Sequence, residues 1–402
     1  MNAPAPAADP LEIFLAATPG LEPALLAEAR AAGFARPRAV PGGVQTEGPW
    51  PEAWRANLVL RGASRVLVRF ASFRAMHLAQ LDKRARKLDW ATILRPDVPV
   101  KVEATCRKSR IYHAGAAAQR IARAIEEELG APAAFAGGHG GQAGARDAQG
   151  AEVEADAPTE PPLRILARIE NDLVTLSLDA SGEPLHRRGH KSFVGKAPMR
   201  ETLAALFLHE CGFDPSLPLV DPMCGSGTFV LEAAEIAAGL APGRSRPFAF
   251  ERLASFDAEA WAAMKAAAAP DPAPAPARRF HGYDRDDGAI RGAAGNAERA
   301  GLAPWTDFRR QAISELAPPE GPPGLVIVNP PYGARIGDKG PLRGLHAALG
   351  RVLVERFQGW RVGLVTSEAE LARATALPFL PPGPPIPHGG LKVRLHRTDP
   401  LR

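Results

Sequence analysis

A chain of 402 residues, 46% apolar and 23% charged, has room for two or three domains and the composition of an ordinary globular protein. It has no apolar run near the roughly 18 residues of a membrane span, and its opening MNAPAPAADP has neither the basic nor the apolar region of a signal peptide. Cys106, Cys211 and Cys224 are too few and too scattered for a disulfide framework or a zinc site, so a cytoplasmic chain with no metal and no membrane partner is expected.

The predicted elements begin after a tail of about ten Ala, Pro and Asp residues. A short strand from Ile13 to Ala17 meets a Pro-Gly turn and a helix with apolar positions at Leu21, Leu25, Leu26 and Ala29. ARPRAVPGGVQTEG holds a strand and turn, and a helix follows through Trp54–Leu60. Residues 63–74 alternate as a strand with Arg outermost, 78–88 form a helix, and VPVKVEAT (98–105) is another strand. The helix over 113–130 stops at Gly130, a usual residue just past a helix end. Ala, Gly, Pro and acidic residues then dominate 131–162, predicting a flexible insertion. LRILARIENDLVTLSLDASG (163–182) is a strand, an Asn-Asp turn and a strand, and HRRGHK (186–191) leads into the second half.

From about 196 the pattern becomes helix, then strands at 217–223, 280–284, 306–312, 324–331 and 361–367 with helices between several of them, and LKVRLHRTD (391–399) closing the sheet. This predicts an α/β, mainly parallel, doubly wound domain behind smaller α+β units. The Pro/Ala tracts at 270–277 and 381–387 read as surface loops. Net charge is +5, and residues 51–130 alone carry 16 basic against 8 acidic side chains, within RVLVRFASFR, DKRARK and CRKSR. Such a concentration attracts polyanions, although it also fits the solvated face of an arginine-rich protein.

Three segments carry chemistry. In VDPMCGSGT, Val220 to Thr228, a strand ends at Asp221 and a helix begins near Thr228, so Gly225 and Gly227 let backbone approach a ligand at the strand tip. A glycine turn of this kind is common in βα units. In YDRDDGAI, Asp284 stands at the tip of the next strand, where Rossmann-type sheets keep an acid for ribose hydroxyls; it would serve equally well as a helix cap, as would Asp286 or Asp287. Its distance of 57 residues from Gly227 is far beyond the roughly 20 of a nicotinamide site. In IVNPPYG, two prolines fix the backbone beyond a buried strand, so the Asn329 amide and the Pro330 carbonyl can both accept from one exocyclic amine while Tyr332 stacks on a base. Cys224 sits in the glycine turn without a base beside it, which argues against a nucleophile, and His186 and His190 lack the partners of a metal site.

DPMCGSGT, GYD and NPPYG, in this order, resemble the class I S-adenosylmethionine-dependent methyltransferases that modify amino groups. Upstream, LEPALLAEARAAG, PGGVQTEG, RANLVLRGASRVLVRF, TLSLDASGEPLHRRGHK and APMRETLAALFL resemble the THUMP-domain RNA methyltransferases, nearest to the RlmL type that methylates guanine N2 in large-subunit ribosomal RNA. The resemblance implies a ferredoxin-like unit at 11–70, an RNA-binding THUMP domain at 71–185 and a Rossmann-like methyltransferase domain at 190–402. It places S-adenosylmethionine against Asp221, Cys224, Gly225, Gly227, Thr228 and Asp284, with the target base against Asn329, Pro330 and Tyr332. It gives ribosomal RNA or tRNA as partner of a monomer, with Arg65, Arg69, Arg107, Lys108, Arg110, Arg187 and Arg188 as RNA contacts. The chain departs from the family in having Gln311 where many relatives place an Asp for the adenine amine, and His388-Gly389 where they often have Asn-Gly. Other readings are a tRNA guanine-N2 enzyme, methylation of adenine N6 or a protein glutamine amide, and a non-enzymatic RNA-binding assembly factor.

Overall fold

Alternation of apolar and polar residues sets the first strands. In the computed structural model, which describes residues 10–136, 160–193, 199–270, 279–332 and 339–402, β1 (Leu11–Ala16) buries Ile13 and Leu15. It is followed by α1 (Glu22–Ala31), β2 (Arg38–Val40), β3 (Gly43–Gly48), α2 (Trp50–Val59) and β4 (Arg65–Arg74). Both helices carry proline in the first turn, where no intrahelical hydrogen bond is lost. Next come α3 (Leu78–Ala85), β5 (Val100–Arg107), α4 (Ala114–Leu129), β6 (Ala133–Phe135), β7 (Leu163–Glu170) and β8 (Leu173–Asp179). Because β4 pairs with β1 on one side and β8 on the other, one eight-stranded sheet, in the order β2-β3-β1-β4-β8-β7-β5-β6, runs through this half of the chain. The segment expected to be a flexible insertion is ordered at its start, where β6 adds a parallel edge to β5; residues 137–159 lie outside the described ones.

The second half contains α5 (Glu201–Glu210), β9 (Leu219–Asp221), α6 (Thr228–Ala237), α7 (Ala258–Ala267), β10 (Phe280–Asp284), α8 (Asp287–Arg299), β11 (Thr306–Arg310) and β12 (Leu325–Val328). It ends with α9 (Lys339–Arg356), β13 (Arg361–Thr366), α10 (Ala369–Ala374), β14 (Ile386–His388) and β15 (Leu391–Arg397). The sheet order is β11-β10-β9-β12-β13-β15-β14, parallel through β13 and antiparallel beyond it. The strand expected to close the sheet, β15, is therefore interior. The edge belongs to β14, from the proline tract read as a loop, with Ile386 and His388 buried and Pro387 turned out. Proline donates no hydrogen bond and is tolerated at an edge. The long α9 was not legible in a stretch holding Gly340, Gly344 and Gly350. Gly350 is needed for close approach, since a Cβ there would lie 1.8 Å from the Thr375 carbonyl oxygen.

The halves share a core. Trp54 of α2 stacks on Phe250 at 5.7 Å and meets Phe256 edge-on, while Trp261 of α7 packs edge-on against Phe248 and Phe250. The stretch that lengthens the spacing between Gly227 and Asp284 thus serves to dock the second half onto the first sheet. Among the described residues no helix is long and apolar enough to cross a membrane.

Candidate active site

The chain runs from β9 to β10 and β11 on one side and then to β12 on the other, so the strand order reverses at β9, where open α/β sheets bind ligands. Register fixes what meets there. Gly282 is level with Asp221, and Val326 with Val220, so Asp284 and Asn329 each extend two residues beyond the tip of the short central strand, one on either side. Strands lie roughly 4.8 Å apart, so these two side chains frame a slot about 10 Å wide above Asp221.

The floor of the slot is the turn from Asp221 to Thr228. It is closed by hydrogen bonds from Cys224 N–H to the Tyr283 carbonyl and from Gly227 N–H to the Cys224 carbonyl, both 2.8 Å. Gly225 and Gly227 have φ of +52° and +81°, in the left-handed region that favours glycine. A Cβ at Gly225 would enter open space, whereas one at Gly227 would meet the Phe308 ring at 2.9 Å. Asp284 accepts from Gly225 N–H at 3.1 Å and Asp286 N–H at 3.0 Å, while Asp286 caps α8 through Gly288 and Ala289. The cap that sequence left open among three aspartates is Asp286, which leaves Asp284 with spare acceptor sites toward the slot.

Asp221 is buried and accepts one hydrogen bond among the described residues, from Met223 N–H at 3.1 Å. Burial, reinforced by the Asp284 charge and opposed by the Met223 amide, pushes its carboxyl well above the usual range. The Cys224 thiol is pushed up by burial and then by both carboxylates, so it stays protonated and is a poor nucleophile. On the opposite wall, Asn329 Oδ1 is buried with no hydrogen-bond donor among the described residues. Pro330 is buried beside it, and Tyr332 is only 7% exposed, its phenol pushed up to about 12 by burial. The ring face expected to stack on a base is thus covered as the chain stands. Gly333 of the same motif lies outside the described residues. Gln311 gives its backbone N–H to the Asp284 carbonyl at 2.9 Å and its side-chain amide to the Glu315 carbonyl at 2.8 Å.

Sequence reasoning missed the residues behind this turn. Thr228 Oγ1 accepts from Lys191 Nζ at 2.8 Å, and Lys191 pairs with Glu201 at 3.1 Å. Asn296 of α8 is fully buried; its oxygen accepts from Ser192 and Phe193 N–H at 3.2 Å, and its nitrogen donates to the carbonyls of Phe193 and Ser226 at 3.1 Å. It therefore ties residues 192–193 to the glycine turn. The one signal in the sequence was an asparagine on the apolar stripe of Ile290, Ala293 and Ala297.

The basic residues divide. Arg188, expected to contact RNA, is 2% exposed and holds both oxygens of Glu232 at 3.0 Å, so its charge is spent inside the protein. Glu232 also meets Arg61 at 2.9 Å, and Glu235, one turn on, meets Arg61 at 3.2 Å and Arg244 at 2.7 Å. Burial opposes ionisation of Glu235, but Arg188, Arg244 and Arg61 outweigh it and hold the carboxyl below its usual range. Arg65 is held by Asp179 and the Gly182 carbonyl, and Arg69 pairs with Glu12 over the Phe14 ring. Arg187 is exposed and pairs with Glu183 at 2.5 Å, while Arg107, Lys108 and Arg110 are exposed at the far end of the first sheet.

Residues 188–378 match the family described as RMKL-like, methyltransferase domain, and residues 12–67 match the RlmL ferredoxin-like domain. Two relatives named ribosomal RNA large subunit methyltransferase K/L, from Syntrophotalea carbinolica and Methylococcus capsulatus, are 36% and 33% identical over 379 and 369 residues. Each alignment covers 90% of this chain but 50% and 47% of the relative, so the chain spans about half their length. A Clostridium difficile 630 protein described as a possible methylase superposes with a TM-score of 0.81 at 26% identity, over 98% of this chain and 99% of that one. A Listeria monocytogenes protein described as a predicted N6-adenine-specific DNA methylase superposes with a TM-score of 0.78 at 27% identity, over 97% and 96%. The chain therefore joins an RlmL-type ferredoxin-like domain to an RMKL-like methyltransferase domain.

Proposed function

We propose that this protein is an S-adenosylmethionine-dependent RNA methyltransferase that forms N2-methylguanosine in large-subunit ribosomal RNA. The observation that carries the reading is Asn329 Oδ1, a buried acceptor without a donor among the described residues, at the mouth of a cofactor-type turn. Such an atom is costly to leave unpaired, and an exocyclic amine of a flipped-out base supplies what it lacks. The residues present also fit the donor molecule. Asp221 is a buried carboxyl with no cation against it among the described residues, suited to the positive end of the methionine moiety. Gly225 leaves open space above its backbone, and Asp284 keeps acceptor capacity for ribose hydroxyls.

When bound, S-adenosylmethionine supplies a methyl group on an already activated sulfur, so the protein's work is positioning. Asn329 Oδ1 and the Pro330 carbonyl accept the two N–H groups of the target amine, and the nitrogen lone pair is thereby turned toward the cofactor side of the slot. The proton released by the methylated nitrogen passes to solvent, so neither a high-pKa base nor a thiolate is required, in keeping with a protonated Cys224. Residues 71–185 act in this reading as the THUMP RNA grip, ahead of a catalytic domain at 190–402. An adenine N6 amine presents the same two donors, and the name of the Listeria relative points that way. The rRNA names of the two longer relatives and the exposed cations of the first sheet favour RNA over DNA, and the choice of guanine rests on the RlmL-type resemblance. Mass mapping of ribosomal RNA from cells with and without the protein decides it: one missing N2-methylguanosine in the large-subunit RNA is expected, and an unchanged map overturns the proposal.

A further inference from the structure

The first sheet has an end remote from the slot. The C-terminal end of β8 faces the catalytic half, where Gly182 packs so closely that a Cβ would lie 3.3 Å from Ala249. The other end of β8, six residues away, is roughly 20 Å off at about 3.3 Å per residue. There β4 ends at Arg74, β5 at Arg107 and β7 at Glu170, and the segment 108–113 crosses to α4.

That segment is fixed rather than loose. Arg110 N–H donates to Asp172 Oδ1 at 2.7 Å, Asp172 N–H donates to Ser109 Oγ at 3.0 Å, and Ala75 N–H donates to the Asp172 carbonyl at 2.9 Å. On this frame Tyr112 is 74% exposed, its ring 4.3 Å from that of His113. The side chains of Arg107 and Arg110 are 71% exposed, and Lys108 is exposed between them. Two acids face these cations, Glu170 at 3.8 Å from Arg107 and Asp172 at 4.0 Å from Arg110. Exposed pairs this loose contribute little, so both guanidinium groups keep free faces. Met76, also exposed, lies against Arg110 with Nη1 to Sδ at 3.3 Å.

We propose that Tyr112 is a stacking platform for an unpaired RNA base, with Arg107, Lys108 and Arg110 holding the phosphates on either side of it. The proposal rests on the RNA reading above and deepens it. Three cations within four residues match the charge of a nucleic-acid backbone. A phenol ring this exposed stacks only on a base whose face is free, which bases inside an A-form helix do not offer. It follows that the substrate is an extended RNA with a single-stranded element roughly 20 Å or more from the methylated nucleotide.

The test uses the full chain with two labelled probes, a single-stranded RNA of about 12 nucleotides and a blunt duplex of similar length. Tyr112→Ala is expected to weaken the single-stranded probe by roughly 5- to 50-fold and the duplex by less than about twofold, with Tyr112→Phe within about twofold of wild type on both. Replacing Arg107, Lys108 and Arg110 together by Ala should flatten the dependence of affinity on salt. Unaltered binding of the single-stranded probe by Tyr112→Ala, or equal loss on both probes, overturns the proposal. So does competition by polyglutamate as effective as by RNA, which would make the surface a site for acidic protein. Calorimetry of S-adenosylmethionine on the same preparations tests cofactor binding separately, so either reading can fail alone.

Discussion

Asn329 and Asp221 stand on facing parts of one slot with opposite needs, the first lacking a donor and the second a cation among the described residues. Asn329→Ala is expected to slow single-turnover methyl transfer by about 100-fold, the usual effect of removing one preorganised hydrogen-bonding group, while cofactor binding by calorimetry changes less than about twofold. An unchanged rate would remove the asparagine from the reaction. For Asp221 the sign follows from its raised carboxyl. The folded chain holds this proton more tightly than the unfolded chain, so stability falls as pH rises from the ordinary carboxylate value toward the raised one. Asp221→Asn should abolish that slope and gain about 1 kcal/mol at pH 7, at the expense of cofactor affinity. Thermal melts of both proteins between pH 4 and pH 8, roughly the span that a carboxyl shifted by burial crosses, check this. Both residues were legible in sequence because strand tips and prolines announce themselves. The burial of Tyr332 was not, since a motif gives residue types and spacing but not what packs over a ring.

At the scale of elements, the glycine turn is held from behind. Asn296→Ala removes four hydrogen bonds that join α8, residues 192–193 and Ser226. The expected result is a loss of about 2 kcal/mol in stability and roughly tenfold weaker cofactor binding, with Asn296→Asp recovering only the acceptor half. Arg188→Ala should destabilise by about 3 kcal/mol by stripping a buried carboxylate of a partner, yet leave the salt dependence of RNA affinity unchanged. A shallower salt slope in that variant would restore it to the RNA surface. From the sequence, HRRGHK was a run of positive charge; only three-dimensional contact separates Arg187, which faces water, from Arg188, which does not. The same holds for β14, where buried Ile386 and His388 reveal a strand inside a tract whose prolines spoke for a loop.

At the scale of the whole molecule, the doubly wound half was readable because each strand is a short apolar run followed by a turn. The reversal of order at β9 and the antiparallel β15 were not, because pairing depends on contacts far apart in the chain. The joining of both N-terminal units into one sheet through β4 was equally hidden. Helix α6 spans the two halves: its first residue ends the glycine turn, and its Glu232 and Glu235 reach Arg61 of the N-terminal half. Excising the second half as a fragment beginning near residue 190 would strip Glu232 and Glu235 of Arg61 and Arg188, leaving them, among the described residues, only Arg244 and the His190 ring, both against Glu235. Such a fragment is expected to be insoluble or to melt well below the intact chain, and a double replacement of both glutamates by glutamine should rescue it. The two halves are in this sense one folding unit, bound by mutual charge as much as by shared apolar surface.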